Sequence, residues 1–264
     1  MPDPWSIALL LFLLCASAGL GYLVKARLPE RHRSRDSIEL TQLGITLLAT
    51  FAAIVLGLLT TSVKSGYDAA YSARGTYAAQ FAQLDQCLRE YGPETAPIRE
   101  QLQSYVAAVI ASTWPDEKPP AGVRYPDTSK LPLTGESSIL GAIINAVGKE
   151  VLELQPADPV RQRILDQCAQ QYSDLIKSRW TVIEGARASI STPFYWVLVF
   201  WLVILFACLG LSAPGDAMAV IVIVLSAISI TGAVFVILDL DLPYGGLFGI
   251  PSESMRNALA DMMR

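Results

Sequence analysis

Residues 5–24, 40–63, 190–213 and 217–238 contain no charged side chain. At about 1.5 Å per helical residue, each run is long enough to cross roughly 30 Å of hydrocarbon. The pattern predicts four transmembrane helices. Between the second and third the spacing changes to amphipathic. A stripe at Tyr67, Tyr71, Ala78, Phe81, Leu84, Leu88 and Tyr91 recurs mostly every three or four residues, with no helix breaker between it and the second apolar run. One long rod is expected, ending at "YGPE". A second stripe, Ile98, Leu102, Tyr105, Val109 and Thr113, stops at Trp114–Pro115. Proline-rich residues 115–135 read as an exposed loop, and a third helix covers 136–154. A fourth opens with Asp158 as N-cap and Pro159 in the first turn, and its stripe (Val160, Ile164, Cys168, Leu175, Val182, Ile190) runs to Pro193. The predicted fold is all-α: four transmembrane helices, with an extramembrane helical bundle inserted between helices 2 and 3. The divisions are 1–63, 64–192, and 193–264 for the last two spans and a tail.

The first apolar run ends near "ASA", which resembles a signal-peptidase site. Its leading "MPDPW" carries Asp3 and no basic residue, so an uncleaved helix is expected. Lys25, Arg27, Arg31, Arg33 and Arg35 crowd the loop between helices 1 and 2, which marks that loop as cytoplasmic. Residues 64–192 then lie outside, periplasmic or extracellular. "SAPGD" between helices 3 and 4 adds no Lys or Arg, and Lys64, Arg74, Lys177, Arg179 and Arg187 flank the other side more sparsely.

Composition agrees with a membrane protein: 52% of residues are apolar and 17% charged. The net charge of −4 comes with no basic, aromatic-interleaved patch, so nucleic acid is not an expected partner. The single histidine, His32, falls in the basic loop and no phosphate-binding loop is present, so neither an enzyme nor a cofactor is expected.

Two octets, "LDQCLREY" at 84–91 and "LDQCAQQY" at 165–172, share Leu-Asp-Gln-Cys and a tyrosine at one spacing. Cys87 lies 24 residues after Val63, and Cys168 lies 25 before Pro193. On unbroken helices both stand about 36 Å above the membrane edge. Antiparallel rods that touch would make them neighbours, as a disulfide requires. The outward orientation would supply the oxidising compartment. The alternatives are two plain core cysteines or, less naturally, a metal site with Asp85 and Asp166. Cys15 and Cys208 read as membrane packing.

In the second span Gln42, Thr46, Thr50, Ala53, Gly57, Thr60 and Lys64 form one small, polar face, with Leu43, Leu47, Ile54 and Leu58 elsewhere on the helix. Such a face either lets helices pack closely or lines a water-filled path through several copies. Asp239 and Asp241 close the fourth span, either as interfacial charges or as a carboxylate ring at a pore mouth. "PYGGLFG" then requires a turn.

"GLLTTSVKSGYDA", "LDQCLREYGPE" with the later "WP", "FWLVILFACLGLSAP" and "LDLDLPYGGLFGIPSESMRNAL" together resemble the bestrophin-like domain family of bacterial membrane proteins. The likeness spans nearly everything after residue 40. The family ending resembles Asp-Arg-Pro-Phe-x-Gly; here it reads Asp241, Leu242, Pro243, Tyr244, Gly245, Gly246, with Leu242 in place of the Arg. The resemblance implies a multi-pass protein of the bacterial inner membrane. It also implies kinship with bestrophins, oligomeric chloride channels whose pore is lined by the second membrane helix. Bestrophins keep their middle region in the cytosol, opposite to the charge bias here. Their aromatic neck is missing too, since Phe51, the sole aromatic of helix 2, lies off the polar stripe. The expected function is a homo-oligomeric membrane protein with an ion pathway along helix 2, its partners being lipid, further copies of itself and inorganic ions. The competing class is a non-conducting assembly or envelope sensor whose outer bundle binds a partner.

Overall fold

The structure is a computed structural model that describes residues 4–27, 35–128, 136–186 and 192–264; for 4, 35–38 and 192–194 only the helical backbone is described. Most of the basic loop, including Arg31, His32 and Arg33, lies outside the described residues. So do the end of the proline-rich loop, Arg187 and Ile190. The described residues form helices and connecting segments without strands. These are α1 (Pro4–Arg27), α2 (Arg35–Tyr91), α3 (Ala96–Thr113), α4 (Ser138–Glu153), α5 (Pro159–Gly185), α6 (Thr192–Ser212), α7 (Ala217–Leu240) and α8 (Glu253–Met262). Helices α1, α2, α6 and α7 are long and apolar enough to cross a membrane. The expected rod is one 57-residue helix, α2.

The chain divides into two units, Met1–Ser65 with Ser189–Phe248 and Gly66–Ala188 with Gly249–Arg264. The turn up to Phe248 therefore stays with the membrane unit, whereas the tail from Gly249 onward groups with the extramembrane helices. Its amphipathic α8 turns Met255, Ala258, Leu259 and Met262 inward.

In the membrane unit α1 and α6 meet backbone to backbone. A Cβ on Gly21 would overlap the carbonyl of Ala207, and one on Gly210 that of Ala18. Lipid tails are as apolar as leucine, so close van der Waals approach at small residues is what holds such helices together. Around that contact Leu14, Leu198, Leu202 and Phe206 are sealed from solvent, in one cluster with Ala52, Leu59 and Val63 of α2 and Ala227 and Val234 of α7.

The extramembrane unit has its own core, with Phe81, Leu84, Leu88, Leu102, Tyr105, Ile110, Ile144 and Leu175 all inside. Each boundary has a local cause. Gly92 (φ 149°) and Pro93 stop α2, and buried Thr95 donates its hydroxyl to the carbonyls of Leu88 and Gly92, at 2.6 and 2.8 Å. Ser137 caps α4 by accepting from the Leu140 N–H, and Asp158 caps α5 by accepting from the N–H groups of Val160 and Arg161. Two stripe positions differ from the periodic reading: Tyr71 and Val160 are exposed. On α2 the inward line runs instead through Ala70, Arg74, Tyr77, Ala78 and Phe81. Periodicity gave the helix its face but not the angle at which that face meets the bundle.

Candidate functional site

At about 100° per residue, the membrane half of α2 resolves into three faces. One holds Ala52, Leu59 and Val63 with half-buried Ile45, Leu48 and Val55, and belongs to the membrane core. Roughly a third of a turn away stands the polar stripe, Gln42, Thr46, Thr50, Ala53, Gly57, Thr60 and Lys64, every member of it at least partly exposed. The third face carries exposed Leu40, Leu43, Leu47, Phe51, Ile54 and Leu58. Phe51 still reaches Trp201, ring centroids 6.4 Å apart. A Cβ added at Gly57 would meet nothing within 4 Å.

The hydroxyls of the stripe are already oriented. Thr46 donates to the Gln42 carbonyl at 2.9 Å, Thr50 to Thr46 at 2.8 Å and Thr60 to Leu56 at 2.7 Å. These bonds to the preceding turn consume the hydroxyl protons and leave oxygen lone pairs outward. The face is thus a ladder of acceptors with gaps at Ala53 and Gly57, ending at Lys64.

Asp239 stands apart from that ladder. It is 1% exposed, and its Oδ2 accepts from the backbone N–H groups of Leu247 and Phe248 at 2.8 and 2.9 Å. Gly246, at φ 75°, presses against the same carboxylate, where a Cβ would overlap it. The turn expected from "PYGGLFG" is built around this buried acid, because consecutive N–H groups make a concavity for an anion. Asp239 is thus a loop tether inside its own chain. Asp241 is the half-buried C-cap of α7.

The octets meet across the bundle. Cys87 and Cys168 form a disulfide with Cα atoms 5.6 Å apart, and both are buried. Their neighbours do different work. Asp85 is buried and ion-paired to Arg89 at 2.7 Å and Arg99 at 2.9 Å. Asp166 is exposed and accepts from Gln162, one turn back, at 2.9 Å. Tyr91 is buried beneath the Arg161 guanidinium, whereas Tyr172 fills the notch over Gly148 and donates to the Ile144 carbonyl at 3.1 Å. Burial raises the Tyr172 pKa. Among the described residues no cluster of three or more His, Cys, Asp or Glu side chains could hold a metal ion.

Two polar constructions escaped the sequence reading. Arg89, Arg99 and Gln103 all donate to the Met262 carbonyl, at 3.3, 3.3 and 2.8 Å, capping the C-terminal end of α8. Inside the bundle Tyr77 and Tyr105 share a hydrogen bond of 2.9 Å, and buried Arg179 donates to the Tyr105 hydroxyl at 3.2 Å while facing Glu136 at 3.4 Å. Burial works against the Arg179 charge, but Tyr105, Tyr77 and Glu136 outweigh it and its pKa rises. The available signal was a charged residue on an otherwise apolar stripe, as at Asp85 and Arg179.

The Bestrophin-like domain family model matches residues 11–255. Among curated proteins none matches the sequence. The fold is similar to solved structures of a bacterial bestrophin homologue from Klebsiella pneumoniae. One variant gives a TM-score of 0.69 at 16% identity, covering 100% of this chain and 97% of that one. A second gives 0.65 at 16% identity over 98% and 99%, and a third 0.65 at 17% over 97% of each chain.

Proposed function

From the premise that the chain belongs to the bestrophin-like family, we propose that it assembles with copies of itself around a membrane ion pathway lined by α2. The observation that carries this reading is the uncovered polar stripe. Six positions on one face of an intramembrane helix, from Gln42 to Thr60, are exposed, and four of them carry polar side chains. Polar groups turned toward lipid are costly, so such a face belongs against water or another subunit. The apolar face beside it suits lipid or a neighbouring subunit. Outward oxygen lone pairs from Thr46, Thr50 and Thr60 replace hydration around a cation better than around an anion. Self-association, inorganic ions and the bilayer are the partners in this reading. The sites are Gln42, Thr46, Thr50, Ala53, Gly57, Thr60 and Lys64; Asp241 is retained at the α7 exit.

The extramembrane unit lies outside in this proposal. A buried disulfide forms and persists in an oxidising compartment such as the bacterial periplasm, and the basic residues between α1 and α2 favour a cytoplasmic loop there. The two supports are independent. The host membrane is then the bacterial inner membrane.

Planar-bilayer recording of the purified protein tests the pathway: cation currents are expected, and Gly57→Trp, which places a ring on the open stripe, should abolish them. A silent wild-type protein, or unchanged currents in Gly57→Trp, would sink the proposal in favour of a non-conducting assembly or envelope sensor. For orientation, Asp116→Cys on the exposed loop should react with an impermeant thiol reagent in intact, outer-membrane-permeabilised cells. Reaction only after lysis reverses the topology.

A further inference from the structure

The turn that leaves α7 carries three large apolar side chains in the open. Leu242, Leu247 and Phe248 are 38, 72 and 46% exposed. The turn does not run on into solvent. Because the buried Asp239 carboxylate accepts from the Leu247 and Phe248 N–H groups, the chain folds back to the level of the last helical turn. The Leu242 N–H reaches the Asp239 carbonyl at 3.2 Å, and the Gly245 N–H reaches the Leu242 carbonyl at 3.1 Å. Pro243 has no N–H to place. The turn at the other end of α7, residues 213–216, differs: it reads Ala-Pro-Gly-Asp and holds no large apolar side chain.

We infer that this turn is an interfacial membrane anchor: Leu242, Leu247 and Phe248 rest at the headgroup–acyl boundary of the bilayer, at a depth set by the Asp239 tether. At 1.5 Å per residue the 24 residues of α7 span about 36 Å. That exceeds the roughly 30 Å of hydrocarbon and falls short of the roughly 40–45 Å that includes the headgroups, so the helix ends in the interfacial layers. The fold-back keeps Leu247 and Phe248 in that layer. Aromatic residues mark the same end of the membrane unit. α7 starts beside Tyr22, near the end of α1, and so returns to the end where α1 begins. α6 runs parallel to α1, pairing Ala18 with Gly210 and Lys25 with Ala213. Exposed Trp5 and Trp196 open those two helices, and tryptophan gathers at the headgroup level. An irregular segment enters an apolar layer only where its backbone groups find partners. The N–H groups of Leu242, Gly245, Leu247 and Phe248 all find theirs within residues 239–248. A neighbouring subunit is a poorer fit, because contacts between membrane helices favour small residues and this turn offers Leu and Phe.

The test is electron paramagnetic resonance of the full-length protein in phosphatidylcholine nanodiscs, spin-labelled at Leu247→Cys. Cys15→Ala and Cys208→Ala remove the free thiols. Collisions with oxygen report apolar surroundings, and collisions with nickel-EDDA report water. The label should meet oxygen freely and be protected severalfold from nickel-EDDA, relative to a label at Asp116→Cys on the exposed loop. Asp239→Ala should raise nickel-EDDA collisions at position 247 towards the value at 116. Asp239→Asn, which keeps an acceptor oxygen, should restore the protection. Should Asp239→Ala fail to fold, Gly246→Ala, whose Cβ would press on the same carboxylate, makes the same test. The inference is overturned if position 247 is as open to nickel-EDDA as position 116, or if loss of the tether leaves its protection unchanged. It is equally overturned if the label is closed to both reagents and broadened by neighbouring spins, since the turn would then be a subunit contact.

Discussion

The two halves of α2 are one unbroken helix with opposite settings. In residues 40–63 only one face is covered by the chain, at Ala52, Leu59 and Val63. In residues 66–91 the inward face is sealed at Tyr77, Phe81, Leu84 and Leu88, a cysteine on it is bonded to α5, and a buried acid is held by two arginines. Both halves carry polar groups, and what differs is where those groups find partners. Asp85 has Arg89 and Arg99. Thr46, Thr50 and Thr60 turn back to their own helix, with open space beyond. The charges buried in the extramembrane half find their partners within one chain, whereas the stripe of the membrane half faces whatever surrounds it.

That contrast can be broken by mutation. The largest effect is expected from replacing Cys87 and Cys168 with serine. The disulfide closes a loop with a sequence separation of 81, and such a cross-link contributes about 4 kcal/mol in the chain-entropy account. Thermal melting of the extramembrane unit should fall markedly, and reductant should no longer affect the double variant; an unchanged melt would show that the core holds without the bond.

Next comes Asp85→Asn, which removes the shared anion from Arg89 and Arg99. With Asp85 2% exposed but the two arginines 42% and 21% exposed, the cost should be about 2–3 kcal/mol, below that of a fully buried pair. Denaturant unfolding measures it.

A smaller effect concerns the attachment of α8 to the end of α3. Glu117 accepts from Ser252 and from Arg256, and its pKa is lowered, chiefly by the Ser252 hydrogen bond. A carboxylate with a depressed folded pKa stabilises above its unfolded value, and that contribution is lost as pH falls through the folded one. Acidification below about pH 4.5 should therefore loosen α8, detected as faster amide exchange at Met255 and Leu259. Glu117→Gln should remove the dependence.

The smallest expected effect is on the other side of the comparison. Gly57→Trp should leave the melting of the extramembrane unit within about 0.5 kcal/mol of wild type while altering conductance. A large loss of stability would mean that the stripe is already covered.

The segment "LDLDLPYGGLFG", which closes the fourth span, shows how far pattern reading goes. Pro243, Gly245 and Gly246 predict the turn because they restrict or free backbone angles locally. The same reading leaves Asp239 as a charge at the end of the span. Its real surroundings come from residues 247 and 248, whose N–H groups reach it only once the chain folds back. The octets divide similarly. Their matched spacing from the apolar runs placed Cys87 opposite Cys168, since helical rise is fixed by geometry. Nothing in "LDQC" distinguishes the buried Asp85 from the exposed Asp166.

By itself the sequence determined the four apolar spans, the length of α2, its polar stripe and the matched spacing of the two cysteines. Each follows from local rules of charge, periodicity and rise per residue. Tertiary structure alone decided that Tyr71 faces out and Arg74 in, that Asp239 serves its own loop, and that the tail joins the extramembrane helices. Those outcomes depend on the angle at which one helix meets another and on partners distant in the chain, which no local pattern encodes.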